Sequence, residues 1–145
     1  LGMAHMRALF LLMALATFGA QAADDEPPAP NNDGPTPCDN VETAQQSFDC
    51  SAYNRKTAET ELGASYKDLI DRVKSQYSDH ADQQNDLLAK VKAAQGLWEK
   101  LRDADCAVDT FNTAKGTQAY QIAQNDCFAQ KSDERSESLQ SVGME

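Results

Sequence analysis

The sequence predicts an all-α domain of three antiparallel helices, two long and one shorter, stapled by two disulfides. Three observations carry this. From Cys38 onward there is no proline and only seven Val and Ile residues, while Ala, Gln, Glu, Asp and Lys abound, a bias toward helix over strand. The apolar residues of this part recur at spacings of three and four. Four cysteines, an even number, lie in a chain whose start has the pattern of an exported protein.

That start is the first element. Ala8 to Phe18 is apolar but for Thr17, follows Arg7 and leads to Ala20-Gln21-Ala22. This is a short positive region, an apolar core and an A-x-A cleavage site. A membrane-spanning helix needs about 20 apolar residues, so the segment fits a signal peptide over 1–22, cleaved near Ala22. A periplasmic or secreted protein without membrane insertion in its mature form is the expectation. Residues 23–37, ADDEPPAPNNDGPTP, hold all five prolines and form an acidic extended linker. The helical domain is expected over 38–141.

Composition sets limits on that domain. The full chain has 145 residues and a net charge of −10, which becomes −11 once the leader and its Arg7 are removed. In residues 23–145 only 17 of 123 are Leu, Ile, Val or Phe, about 14%, a level usual for disordered chains. A large enzyme core and a polybasic nucleic-acid surface are excluded. The linker accounts for the disordered character, and the domain needs covalent help to offset a thin core.

Thr43-Ala44-Gln45-Gln46 has the form of a helix capping box and starts the first helix. Leu62, Tyr66, Leu69, Ile70, Val73 and Tyr77 then mark its apolar face. The polar run Ser78 to Asp82 ends it. The second helix carries Leu87, Leu88, Val91, Ala94, Trp98, Leu101 and Val108 with the same periodicity. A break follows around Gly116, where glycine suits a left-handed cap. The third helix holds Ile122, Cys127, Phe128 and Leu139 and runs to about Gln140.

Four cysteines allow three disulfide connectivities. A zinc site is the rival, but there is no C-x-x-C pair and His80 is the only histidine after the leader. Helix register selects among the pairings. If helices one and two turn near residue 80, level partners sum to about 160, and with a turn near 116 the partners of helices two and three sum to about 232. Cys106 is then level with position 126, next to Cys127. Cys38 can fold back along the first helix to Cys50, since five extended residues cover about 16 Å. Cys38–Cys50 and Cys106–Cys127 are therefore expected. Each adds about 3 kcal/mol in the chain-entropy account, against about 5–15 kcal/mol of total stability.

The second helix contains Gln95-x-x-Trp98-x-x-x-Arg102-Asp103-x-x-Cys106. Gln95, Trp98, Arg102 and Cys106 share one stripe of the helix, at about 100° per residue. A stripe ending in a disulfide faces the other helices, and a charge there needs a partner. Register places Arg102 opposite position 58, so an Arg102–Glu59 ion pair is expected, with the arginine stem against Trp98. The alternative is that Trp98 and Arg102 line a ligand pocket.

These residues resemble the LprI-type lysozyme inhibitor domain, a family of small exported helical domains. The likeness starts at Cys38, continues through Thr43, Cys50 and Ala58-Glu59-x-x-Leu62-Gly63-x-x-Tyr66, and resumes with the Gln95–Cys106 string. It ends with Cys127, Arg135 and Leu139. Where the family usually has Ala-Asp and Leu-Asn, this chain has Ala58-Glu59 and Leu62-Gly63. The first change keeps the charge. The second introduces a helix-interior glycine, which suggests a kink or a close helix contact.

The resemblance implies a lysozyme as protein partner and inhibition by binding. Many wall-attacking lysozymes are basic, and a −11 domain attracts them at long range. Inhibition also requires covering a cleft that works through two carboxylates. Lys115-Gly116-Thr117, at the second turn, offers a cation and a hydroxyl for that purpose, although such a turn is also an ordinary helix connection. The alternative function is an envelope binding or stress module with an unknown ligand and no lysozyme inhibition. Asp103, Asp105 and Asp109 lack the spacing of a calcium loop, and Asp79-His80-x-Asp82 holds a lone histidine. No nucleophile–base pattern or phosphate loop is present. No enzyme activity, cofactor, metal or nucleic acid is expected, and the oligomeric state is left open.

Overall fold

The computed structural model of the protein describes residues 34–143. The signal peptide expected at 1–22 and the expected linker up to residue 33 lie outside the described residues. Three helices follow: α1 at Ala44–Gln76, α2 at Ala81–Asp109 and α3 at Gln118–Ser141. There is no strand among the described residues.

Each boundary has a local cause. The Thr43 hydroxyl accepts from the Gln46 amide, and the Gln46 side chain accepts in return from the Thr43 amide, closing both halves of the capping box. The end of α1 is held from the next helix: the Gln84 side-chain amide donates to the Lys74 and Tyr77 carbonyls at 3.1 and 3.3 Å. Thr117 caps α3 by accepting from the Tyr120 amide. Gly116 has φ +80° as expected for a left-handed residue, but it leads into the α3 cap, whereas α2 ends at Asp109 with Thr110 as its C-cap. Beyond α3, the Arg72 guanidinium reaches across from α1 and donates to the Leu139 carbonyl at 2.9 Å, a cation where the helix dipole is negative.

α2 runs antiparallel to its neighbours, so α1 and α3 run parallel, as cross-links from Ser51 to Asn125 and from Ser65 to Gln140 require. The tightest packing is between these two parallel helices, and α2 touches each more sparsely. The reason lies in small side chains. Ser51, Ala58 and Ser65 on α1, and Ala129, Ser132 and Ser136 on α3, are buried. Helices faced with Ala and Ser approach closely without large residues, which is how a chain with so few aliphatics builds an interior. Larger groups gather toward the α1–α2 turn, where Leu62, Leu69, Val73, Val91 and Leu139 form the core and Tyr66, Ile70, Leu87 and Trp98 pack on it.

Both disulfides have the pairing that register implies, Cys38–Cys50 and Cys106–Cys127. Cys106 is fully buried. Its carbonyl accepts from the Thr110 hydroxyl at 2.7 Å and from the Gln124 side chain at 3.1 Å, so polar groups as well as sulfur fasten α2 to α3.

One expected face is different. Leu101 and Val108 are expected on the inward face of α2, yet they are 58% and 73% exposed, and Ala94 of the same expected face is exposed as well. α2 carries two apolar stripes, and the inward one passes through Val91, Trp98 and Cys106 instead. Gly63 also differs from expectation: a Cβ there would meet nothing within 4 Å, so no close helix contact requires it.

Candidate functional site

Because α2 rests lightly on α1, the two helices part to leave a cleft of about 520 Å³. One face of α1 supplies Glu59, Leu62, Gly63 and Tyr66, and one face of α2 supplies Lys92, Gln95, Gly96, Trp98, Glu99 and Arg102. The register sum near 160 sets Glu59 level with Arg102 and Tyr66 level with Gln95. Two separate parts of the sequence thus converge on one wall-to-wall site.

The cleft has an aromatic and a polar side. Trp98 and Tyr66 are half-buried and reach into the core beneath. Glu59, Glu99, Lys92, Gln95 and Arg102 provide both charges and amide groups at its edges. Space is open over both glycines of the cleft, Gly63 and Gly96, since a Cβ at either would meet no atom within 4 Å. Each is a helix-interior glycine, a choice that costs about 1 kcal/mol relative to alanine with no packing need for it here.

Behind this wall lies a group of arginines on aromatic rings. The Arg102 guanidinium sits 5.2 Å from the Trp98 ring centre and 4.5 Å from that of Phe128. Arg55 lies 4.1 Å from Phe128, and Arg135 lies 5.8 Å from Trp98. Arg135 donates to the Gln95 side-chain oxygen at 3.1 Å. Burial pushes its pKa below the ordinary guanidinium value, and no carboxylate of the described residues lies within ion-pair distance. One ring face and one amide oxygen take the place of a counter-ion.

The expected Arg102–Glu59 ion pair does not form. Glu59 is held by Arg55 at 2.9 Å, one turn away on its own helix. Arg102 takes Asp103 at 2.8 Å and turns toward Phe128 of α3. The physical reason is the cleft: spanning it would stretch both side chains, whereas an i,i+4 partner is already in place. Arg102 lies beside Trp98 as expected, and both also line the cleft, so the structural and pocket alternatives coexist. Arg55 was the missed residue; its position four before Glu59 was the available signal.

The other singled-out residues have distinct places. Thr43 caps α1, Leu62 and Leu139 are core, and Asp103 holds Arg102. Lys115, Gly116 and Thr117 are all exposed in the α2–α3 turn. The Thr117 hydroxyl is occupied, accepting from Tyr120 and donating to the Ala114 carbonyl at 2.6 Å. The Lys115 side chain makes no ion pair or hydrogen bond among the described residues. Asp105 pairs with Lys131 at 3.3 Å, and that contact raises the lysine pKa. No group of three or more His, Cys, Asp or Glu is arranged to hold a metal among the described residues. No described helix is long and apolar enough to cross a membrane.

Comparison with known proteins identifies the source of this arrangement. Residues 38–139 match the family described as Lysozyme inhibitor LprI. The chain is also similar to a crystal structure of a DUF1311 family protein from Pseudomonas putida KT2440, at 49% identity and a TM-score of 0.64. That similarity covers 72% of this chain and 97% of the other. No curated protein matches. With the match extending from the first disulfide cysteine to the last core leucine of α3, this chain belongs to the LprI lysozyme-inhibitor family.

Proposed function

We propose that the protein is an exported lysozyme inhibitor, periplasmic or secreted after cleavage near Ala22, that acts by binding the enzyme and performs no catalysis itself. The family match over 38–139 carries this reading, since the family takes its description from that activity. The charge supports it. A chain of net charge −10 attracts a basic lysozyme at long range, and the attraction weakens beyond about 8 Å at physiological ionic strength. Lys115, exposed at the α2–α3 turn, is a cation suited to the carboxylates of a lysozyme cleft.

The test is titration of the oxidised mature protein into a basic animal lysozyme acting on cell walls, at low and at physiological salt. Saturable inhibition at micromolar protein, with slower association at high salt, is expected. Inhibition no better than that of a polyanion of equal charge overturns the reading. If Lys115→Ala inhibits as well as the native protein, the turn has no part in it.

The α1–α2 cleft favours a second reading, an envelope module for a small ligand. Its two unforced glycines and its aromatic and hydrogen-bonding walls suit a molecule with one apolar face and a polar edge. Gly63→Ala and Gly96→Ala would narrow such a site without touching the outer surface.

A further inference from the structure

Large apolar side chains are scarce in this protein, yet four of them are spent on one outward line. Leu97, Leu101, Val108 and Phe111 are 67, 58, 73 and 83% exposed. With the exposed Ala104 between them they recur at steps of four, three, four and three, on the side of α2 away from buried Cys106. This is the seam spacing by which one helix packs against another surface. The line runs for about 21 Å and continues past the helix end, where the Phe111 amide donates to the Val108 carbonyl. Single exposed leucines need no explanation, but an aligned stripe does.

The flanks indicate the occupant. Asp105 and Asp109 border the stripe on one side, and Asp103 and Lys100 on the other; Asp105 pairs with Lys131 and Asp103 with Arg102. Arg102, the remaining cation of this stretch, is turned inward onto Phe128. Asp109 has no ion-pair partner among the described residues. An apolar line beside the unpaired Asp109, on a chain of net charge −10, complements a basic protein with exposed apolar side chains. A second copy fits poorly, because antiparallel pairing about Ala104 sets Asp105 beside its twin and joins two strongly acidic chains. Lys115 follows Phe111 by four residues, so the same end of the molecule presents the exposed cation.

We infer that the Leu97–Phe111 stripe of α2, and not the α1–α2 cleft, is the surface that docks on lysozyme. This rests on the lysozyme reading above. The oxidised protein carrying Leu97→Ser with Leu101→Ser, and separately Phe111→Ser, is compared with the native protein for binding to a basic animal lysozyme by calorimetry. Gly63→Ala serves as the cleft control. All substituted stripe positions are exposed, so circular dichroism and melting are expected to match the native protein. Affinity is expected to fall at least tenfold in the stripe variants and to stay unchanged in Gly63→Ala. Native-like affinity in the stripe variants overturns the stripe and leaves the lysozyme reading standing. No binding by the native protein overturns both. A native dimer in sedimentation that the stripe substitutions dissociate, without change in lysozyme affinity, assigns the stripe to a second copy and overturns this proposal.

Discussion

A guanidinium among aromatic rings can do without a carboxylate, as Arg135 does beside Trp98, whereas Arg55 and Arg102 lie on the Phe128 ring and also pair with Glu59 and Asp103. Sequence register gave Arg102 its level but not its direction. Two acids were within reach of that level, and only the three-dimensional opening of the cleft decides between Glu59 and Asp103. Hydroxyls show the opposite case. Ser132 is fully buried and its Oγ has no hydrogen-bond partner. An unpaired buried hydroxyl is unfavourable, and serine is a poorer helix former than alanine. Ser132→Ala is therefore expected to raise stability by about 1 kcal/mol, read as a higher urea midpoint with unchanged slope. A lower midpoint would mean that the hydroxyl fills space the small-residue interface requires.

At the scale of the helices, boundaries were legible because they depend on local chemistry. The Thr43 box starts α1, and a threonine starts α3 just after Gly116. Disulfide partners were legible too, since register needs only the positions of the turns. Facing was less so. α2 has two apolar stripes, and periodicity alone cannot say that Trp98 turns inward while Leu101 and Val108 turn outward. The α1–α3 interface gave little signal because Ser and Ala do not mark a core. The cleft was visible only as its parts, Glu59 to Tyr66 and Gln95 to Arg102. Gly63 offers a check on this account of α1. With open space at its Cβ and helical backbone around it, Gly63→Ala is expected to stabilise the protein by about 0.5–1 kcal/mol in thermal or chemical melts. Destabilisation would reveal a strained backbone there.

Taken whole, the molecule combines a small-residue interior, two covalent links and a strong negative charge. One disulfide fastens the segment before α1 to that helix, and the other fastens the C-terminal end of α2 to α3. At about 3 kcal/mol each they rival the total stability of a domain this size. Reduction under native conditions is expected to remove most of the helical circular dichroism and the cooperative melt. A sharp melt surviving full reduction would show that Ser and Ala packing suffices alone. On the lysozyme reading proposed above, the negative charge draws a basic partner and the apolar stripe gives that partner a place to settle. The most direct measurement is an amide NMR titration of labelled oxidised protein with unlabelled basic lysozyme. Saturable shifts or broadening are expected along Leu97–Phe111 and the turn through Lys115, with the cleft residues around Gly63 unaffected. Shifts confined to the cleft, or none at all, would contradict that expectation.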